Sequence, residues 1–196
     1  MTTNTRPQPR PCAPGCAITA PHAGRPRVHF ADLDNLHGSG DPGVRRINRV
    51  RGDYDEIGIF PGDIFYGACN HNPNSRDRAN AQKTFHLCTA WPKGTVRPVH
   101  GKDAADMALI TRATELIDIG HLSDRFEEAI IASGDHLFAL VAHRLRQAGL
   151  TVHLVIAHLQ GLSKDLERAA DGCIWHLHEK RCLRHQTPGA RYAIAA

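Results

Sequence analysis

Several features are missing from this sequence, and each absence narrows the field. No run approaches the roughly 18 consecutive apolar residues that a membrane span needs. The amino-terminal stretch is polar and proline-rich, without the apolar centre of a secretory signal, so a cytoplasmic protein is the default expectation. Six cysteines stand at 12, 16, 69, 88, 173 and 182, none of them in a paired C-x-x-C spacing. That pattern demands no zinc framework, and reduced thiols are expected. One alternative stays open in "CIWHLHEKRCLRH": Cys173, His176, Cys182 and His185 around a metal, against a buried strand for the first two. Aromatic residues are not densely interleaved with basic ones, so nothing signals sequence-specific reading of stacked single-stranded bases. No internal repeat is visible.

What remains suits one domain with tails. The chain has 196 residues, 41% of them hydrophobic, enough for a real core. Residues 1–26, with "RPQPRPCAPG" and "PHAGRPR", cannot build a core and read as disordered. The domain is expected over 27–178, and 179–196 reads as a basic, frayed tail. The formal charge is +4 with 24 Lys plus Arg, mostly Arg. Arginine is the better phosphate fork, although base composition of the gene explains an Arg-rich chain equally well.

Strand and helix patterns alternate. "VHFAD" is extended and apolar, "EIGIFPGDIFYGAC" reads as one or two extended pieces, and a short helix follows around Arg78–Leu87. "GTVRPV" is a strand. The clearest helix runs from about Asp103 to Ile119, with Ala105, Leu109, Ala113, Leu116 and Ile117 on one face and Gly120 as its stop. "EAIIASGD" is a strand ending in a turn, "HLFALVAHRLRQAG" an amphipathic helix, "LTVHLVIA" a strand, "SKDLERAAD" a helix capped by Ser163, and "CIWHL" the last strand. Alternation of this kind predicts a three-layer α/β/α fold around a mainly parallel sheet.

In such a sheet, ligands bind beyond the carboxyl ends of the strands. Asp32 ends the first strand, Asp135 follows "AIIASG", and Asp106 lies in the first turn of the long helix. Gathering them has a cost, because two carboxylates about 4 Å apart repel by roughly 4 kcal/mol at an effective dielectric near 20. A divalent cation removes that cost, and Mg²⁺ suits an all-oxygen site that keeps several waters. Each acid also has a plainer reading. Asp106 suits a helix N-terminus through the macrodipole, Asp135 suits a cap, and Asp34 with Asn35 suits an Asx-type turn. Asp32, at the end of a core strand, has the weakest plain reading.

"VHFADLDNLHG", "GKDAADMALITRATEL", "IIASGDHLFALVAHRLRQAGLTVHLV" and "SKDLERAADGCIWHL" together resemble, in order, the landmarks of NYN domains of the PIN-like nuclease superfamily. The resemblance spans about residues 27–178. It implies a PIN-like α/β/α fold whose acidic, Mg²⁺- or Mn²⁺-dependent site cuts RNA. Asp32, Asp34 and Asn35 match the family's D-x-[DE]-N, Lys102–Asp106 its K-x-A-A-D, and Ser133–Asp135 its S-G-D. Ala169–Asp171 match a later A-A-D that shapes the fold. The implied roles follow residue by residue. Asp32, Asp106 and Asp135 hold metal, Asn35 orients phosphate or water, Ser133 supports the turn, and Asp34 supports the site. Lys102 is placed to contact phosphate or is an ordinary solvated lysine. Arg45, Arg46, Arg49 and Arg51 grip RNA or form a solvated loop or helix face. RNA is the implied partner, with no membrane partner, and a homo-oligomer is left open.

Two positions depart from the family. Leu137 stands where a second acid is common after S-G-D, and Arg112 stands where another is common six residues after the helix acid. Three strong acids fit one ion more easily than two. His136 is a substitute proton-transfer group or a solvated surface histidine. The departures keep a catalytically weak or inactive RNA-binding module as the alternative. A haloacid-dehalogenase-type phosphatase shares D-x-D, a lysine and "GD" and would use its first Asp as nucleophile. Asn35 after Asp34 and the acid-free "GDHLFAL" count against it.

Overall fold

The computed structural model describes residues 18, 26–71 and 78–184. In chain order, β1 (Arg27–Asp32) leads into a short helix α1 (Leu33–His37) and then α2 (Val44–Tyr54), β2 (Ile64–Asn70), α3 (Arg78–Ala90) and β3 (Val96–Val99). The long helix α4 (Ala104–Ile119) and the short α5 (Leu122–Arg125) precede β4 (Glu128–Ala132). A 3₁₀ turn at His136–Phe138 opens α6 (Ala139–Gln147), and β5 (Thr151–Ile156) is followed by a second 3₁₀ turn at Leu159–Gly161. Then come α7 (Lys164–Ala169), β6 (Ile174–His176) and β7 (Arg181–Arg184).

The seven strands form one sheet in the order β3-β2-β1-β4-β5-β6-β7, parallel except for β7. Both faces are apolar because side chains alternate along each strand. Val28, Phe30, Ala129 and Ile131 pack beneath Leu109 and Leu116 of α4, Val141 and Leu145 of α6, and Leu166 of α7. Ala31, Phe65, Ile130 and Val155 face Leu33 and Leu36 of α1, Ile47 and Val50 of α2, and Leu87 of α3. Helices thus cover both faces, and the three-layer α/β/α architecture expected from the alternating pattern is the one observed.

Two open readings resolve and two local expectations change. Of "EIGIFPGDIFYGAC" only the end is strand, as part of β2 (Ile64–Asn70). The basic stretch around Arg45–Arg51 is a helix, α2, whose Ile47, Val50 and Tyr54 are buried and whose Arg45, Arg46 and Arg49 are exposed. The segment after "CIWHL" does not fray at once, because β7 pairs antiparallel with β6 and buries Cys182. Ile18, inside the stretch expected to be disordered, is fully buried, and its carbonyl accepts from Arg27 Nη1 at 2.9 Å.

Arg27 itself is 1% exposed and pairs with Asp63 at 3.1 Å. Burial alone would raise the Asp63 carboxyl, but His29, the amides of Arg27 and Phe60, and the Arg27 charge hold it well below the usual carboxylate range. That satisfied ionic network sits at the amino ends of the strands. The opposite, carboxyl rim holds the acids. There β1 lies between β2 and β4, so the chain leaves it in one direction and returns on the other side. Such a switch point opens a crevice.

Candidate active site

Asp32 is the last residue of β1 and the N-cap of α1, and it is 4% exposed. Its Oδ1 accepts from the Asn35 amide at 3.1 Å and its Oδ2 from Ser133 Oγ at 3.3 Å. Ser133 is fully buried beyond β4, and its hydroxyl also accepts from the Asp135 amide at 3.2 Å. Asn35 Oδ1 accepts from the Gly134 amide at 3.2 Å, tying α1 to the same turn. One hydroxyl and one side-chain amide therefore lock together the ends of β1 and β4, about 100 residues apart in sequence.

Gly134 is held on its other side as well. Its carbonyl accepts from Ser163 N at 2.9 Å, and a Cβ added to it would stand 2.4 Å from the Gly161 carbonyl oxygen. Only glycine admits so close an approach of the loop after β5. Asp135 caps the following 3₁₀ turn, its Oδ1 accepting from Leu137 N at 2.9 Å. His136 Nδ1 lies 2.9 Å from that same carboxylate, with an imidazole that is 70% exposed.

Asp106 arrives from the first turn of α4. Burial and then the Asp106 charge push the Asp32 carboxyl up to about 8, against the opposing Asn35 amide. Asp106 is also raised, by burial and by the charges of Asp135, Asp103 and Asp34, while a hydrogen bond from Asp32 relieves it. Each carboxyl thus disfavours ionisation of the other, as adjacent acids do. Oδ1 of Asp106 is buried with no hydrogen-bond partner among the described residues.

Asp34 turns the other way along the rim, its Oδ2 accepting from the Asn70 amide at the end of β2 at 2.7 Å. Asn70 Nδ2 in turn donates to the Gly101 carbonyl at 3.1 Å, holding the loop that enters α4. Lys102 is exposed in that loop. Asp103, the N-cap of α4, is a non-glycine residue in the left-handed region at φ 54° and makes no side-chain cap bond.

The expected residues fall into two groups. Asp32, Asn35, Asp106, Ser133 and Asp135 come together, with Asp34 beside them, whereas Arg45, Arg46 and Arg49 line the exposed face of α2 and Lys102 stands at the α4 entrance. Asp103 and Asn70 were not anticipated. The signal for Asp103 was its place three residues before Asp106, and for Asn70 its place at the end of an apolar strand. Among the described residues no three His, Cys, Asp or Glu side chains form a ready-made ion cage. The structure provides instead a neighbourhood of mutually repelling carboxylates, an orphaned buried oxygen and an all-oxygen donor set, and these features suit a hard divalent cation.

The departures have visible partners. Arg112 donates to Tyr66 Oη and to Glu115, each at 3.0 Å, with its guanidinium 4.8 Å above the Tyr66 ring. It lines a cavity of about 730 Å³ between α4 and β2–β3, with Arg97, Ala108 and Glu115. None of the rim acids lines that cavity. Leu137 supplies only its amide to the site. Cys173 and Cys182 are core thiols beneath the α2 layer, which removes them from the metal set considered with His176, and His185 lies outside the described residues. Asp171 accepts from Val152 N at 2.9 Å and pairs with Arg146 at 3.3 Å, a structural role.

No helix among the described residues is long and apolar enough to cross a membrane. No curated protein matches the chain. A crystal structure of a protein of unknown function from Vibrio parahaemolyticus superposes with a TM-score of 0.53, covering 84% of this chain and 100% of that one at 14% identity, and so supports the fold alone. The NYN domain model matches residues 30–177, from the body of β1 to just past β6, and the chain therefore belongs to the NYN domain family of the PIN-like nuclease superfamily.

Proposed function

We propose that this protein is a divalent-metal-dependent ribonuclease that hydrolyses RNA phosphodiesters endonucleolytically at the carboxyl rim of its sheet. The observation that carries this reading is the buried Asp32 carboxyl, fixed by the Asn35 amide and the Ser133 hydroxyl, next to Asp106 and near Asp135 and Asp34. Oδ1 of that Asp106 is buried with no hydrogen-bond partner among the described residues. Asp32, Asp106 and Asp135 are the residues that would hold Mg²⁺ or Mn²⁺. The chemistry such an ion supplies is Lewis-acid: it offsets phosphodiester charge and lowers the pKa of water.

The chain's own groups do the rest. Asn35 spends its Oδ1 on Gly134, which leaves Nδ2 as a donor for a non-bridging phosphate oxygen. Ser133 fixes the orientation of Asp32 and of the Asp135 backbone. Lys102, exposed at the α4 entrance, adds a mobile positive charge, and Arg45, Arg46 and Arg49 offer a basic helix face to the RNA backbone. The phosphatase alternative draws no support from the family match, which is to the NYN domain.

The test is labelled single-stranded RNA incubated with Mn²⁺, with and without EDTA. Chelator-sensitive cutting that Asp32→Asn abolishes supports the nuclease. Binding without cutting supports the inactive module, a reading that rests on Leu137 and Arg112 occupying two positions where the family commonly carries acids.

A further inference from the structure

A second cluster lies one helical turn from Asn35 and takes no part in the acidic site. Its hub is Gly38, the C-cap of α1 at φ 59°. A Cβ placed on Gly38 would stand 3.0 Å from Arg46 Nη2 and 3.1 Å from His158 Nε2, so an arginine and an imidazole close over its bare backbone. His158 and His178 approach to 5.7 Å between ring centroids. His37, immediately before the hub, is fully buried; its Nδ1 bonds the Leu33 carbonyl one turn back. Its Nε2 is buried and has no hydrogen-bond partner among the described residues. Arg46 and His178 act on this imidazole electrostatically, and burial with those two charges lowers it to about 4.

The helix carrying Arg46 starts on a Gly-rich turn, "GSGDPG". Its N-cap Gly43 makes no side-chain cap bond, and its first turn has no acid but holds Arg45 and Arg46. Asp41 lies in the turn, and Asp53 is already engaged by His178 at 2.8 Å and by Arg49 and Lys180 at 3.9 Å each. Arg46 thus brings a fixed positive charge to a group of imidazole nitrogens beside the uncapped start of α2, and a phosphate can accept hydrogen bonds from such a set. The two clusters are joined through His158, because the loop it opens packs on Gly134, and through Asn35, whose carbonyl accepts from the Gly38 amide at 3.0 Å.

We infer that Arg46, His158 and His178, grouped around Gly38 with the uncapped start of α2, form a phosphate subsite that holds the backbone of the bound RNA one or two nucleotides from the bond to be cut. The inference rests on the ribonuclease reading for its ligand, although the subsite itself requires no metal. A transition-metal site is the competing use of three histidines. The same groups form no ready-made ion cage, and the Arg46 guanidinium already stands where a cation would meet repulsion.

The experiment measures binding of a fluorescent eight-nucleotide single-stranded RNA to the full chain by anisotropy, in EDTA, so that cutting and binding are separate. Arg46→Ala and His158→Ala should each weaken binding about five- to tenfold, and Arg46→Ala should flatten the dependence of log affinity on log salt by about 0.7, the value for one single-strand phosphate contact. Arg125→Ala, an exposed arginine at the amino-end side of the sheet, should bind as the wild type does. Both tested side chains reach the surface, and equal melting temperatures confirm intact folds. Binding by the Arg46 and His158 variants equal to that of the Arg125 variant overturns the subsite. So does a Zn²⁺-induced rise in melting temperature that His158→Ala abolishes. Failure of the wild type to cut RNA in Mn²⁺ overturns the nuclease reading and leaves these binding results unaffected.

Discussion

Replacing Asp32 by Asn should make the metal-free protein more stable, although it is meant to destroy the site. The folded protein holds the Asp32 carboxyl at about 8, against 3.8 unfolded. At 1.36 kcal/mol per pH unit, full ionisation of this group above pH 8 costs at most about 6 kcal/mol. The repulsion of a single carboxylate neighbour about 4 Å away is roughly 4 kcal/mol at an effective dielectric near 20, and relaxation reduces it further. A gain of about 2–4 kcal/mol is the expected outcome, or roughly 5–12 °C in melting temperature for a domain of this size. Asn preserves the shape, accepts from the Asn35 amide, and donates from Nδ2 toward Ser133 and Asp106. The pH dependence carries the sign. Between about pH 4 and 8 the folded wild type keeps a proton that the unfolded chain has lost, so its stability falls as pH rises through that window. Asn cannot ionise, so the gap should be near zero at pH 4 and full above pH 8. Thermal melts of both proteins in EDTA across this range provide the measurement. Millimolar Mn²⁺ should then raise the wild type, by about 2.7 kcal/mol at one hundred times its Kd, and leave the variant unmoved. A variant less stable than wild type at pH 8.5, or a gap that does not widen with pH, refutes the reasoning.

Three other changes probe the frame around the pair. Gly134→Ala drives a methyl to 2.4 Å from the Gly161 carbonyl oxygen and should cost about 2 kcal/mol or more, a melting drop of at least about 4 °C, with loss of RNA cutting; a neutral melt would contradict the close approach. Asp171→Ala removes the acceptor for the Val152 amide and should cost about 1–3 kcal/mol. Its RNA cutting per folded molecule should equal that of the wild type, which activity normalised to folded fraction checks. Leu137→Asp adds a carboxylate beside Asp135 and should lower the metal-free melting temperature at pH 8 while enlarging the rise produced by Mn²⁺; no change in that rise would place position 137 outside the ion's reach.

The sheet was legible because its signals are local. β1, β4 and β5 are each buried on both faces and rich in apolar residues, and α4 shows its buried face at helical spacing with Gly120 at its end. Where partners are remote, the signal failed. β7 carries two arginines in four residues, and only pairing with β6 and burial of Cys182 make it a strand. α2 has a mean composition so polar that loop and helix were equally readable, and its register is set by Ile47, Val50 and Tyr54 against the sheet. "EIGIF" resembles a strand but serves as an anchor, the Ile57 and Gly58 carbonyls accepting from the buried Arg27 guanidinium.

The acids were legible for a different reason. A carboxylate that ends an apolar strand has few packing uses, so Asp32 and Asp135 stood out one at a time, and topology alone then placed them on neighbouring strands. Asp103 and the histidines had no such contrast. Asp103 reads as an ordinary helix cap, and only the left-handed backbone and the Asp106 carboxyl beside it give it electrostatic weight. His37, His158 and His178 lie on three separate elements, and histidine is common in this chain, with 14 copies. Nothing local distinguishes a histidine whose ring meets another ring from one that meets water. Like charges gathered from distant segments imply a missing partner of opposite charge. Deleting one of the rim acids should therefore weaken cation binding while relieving the metal-free fold, a pairing of effects that packing residues do not produce.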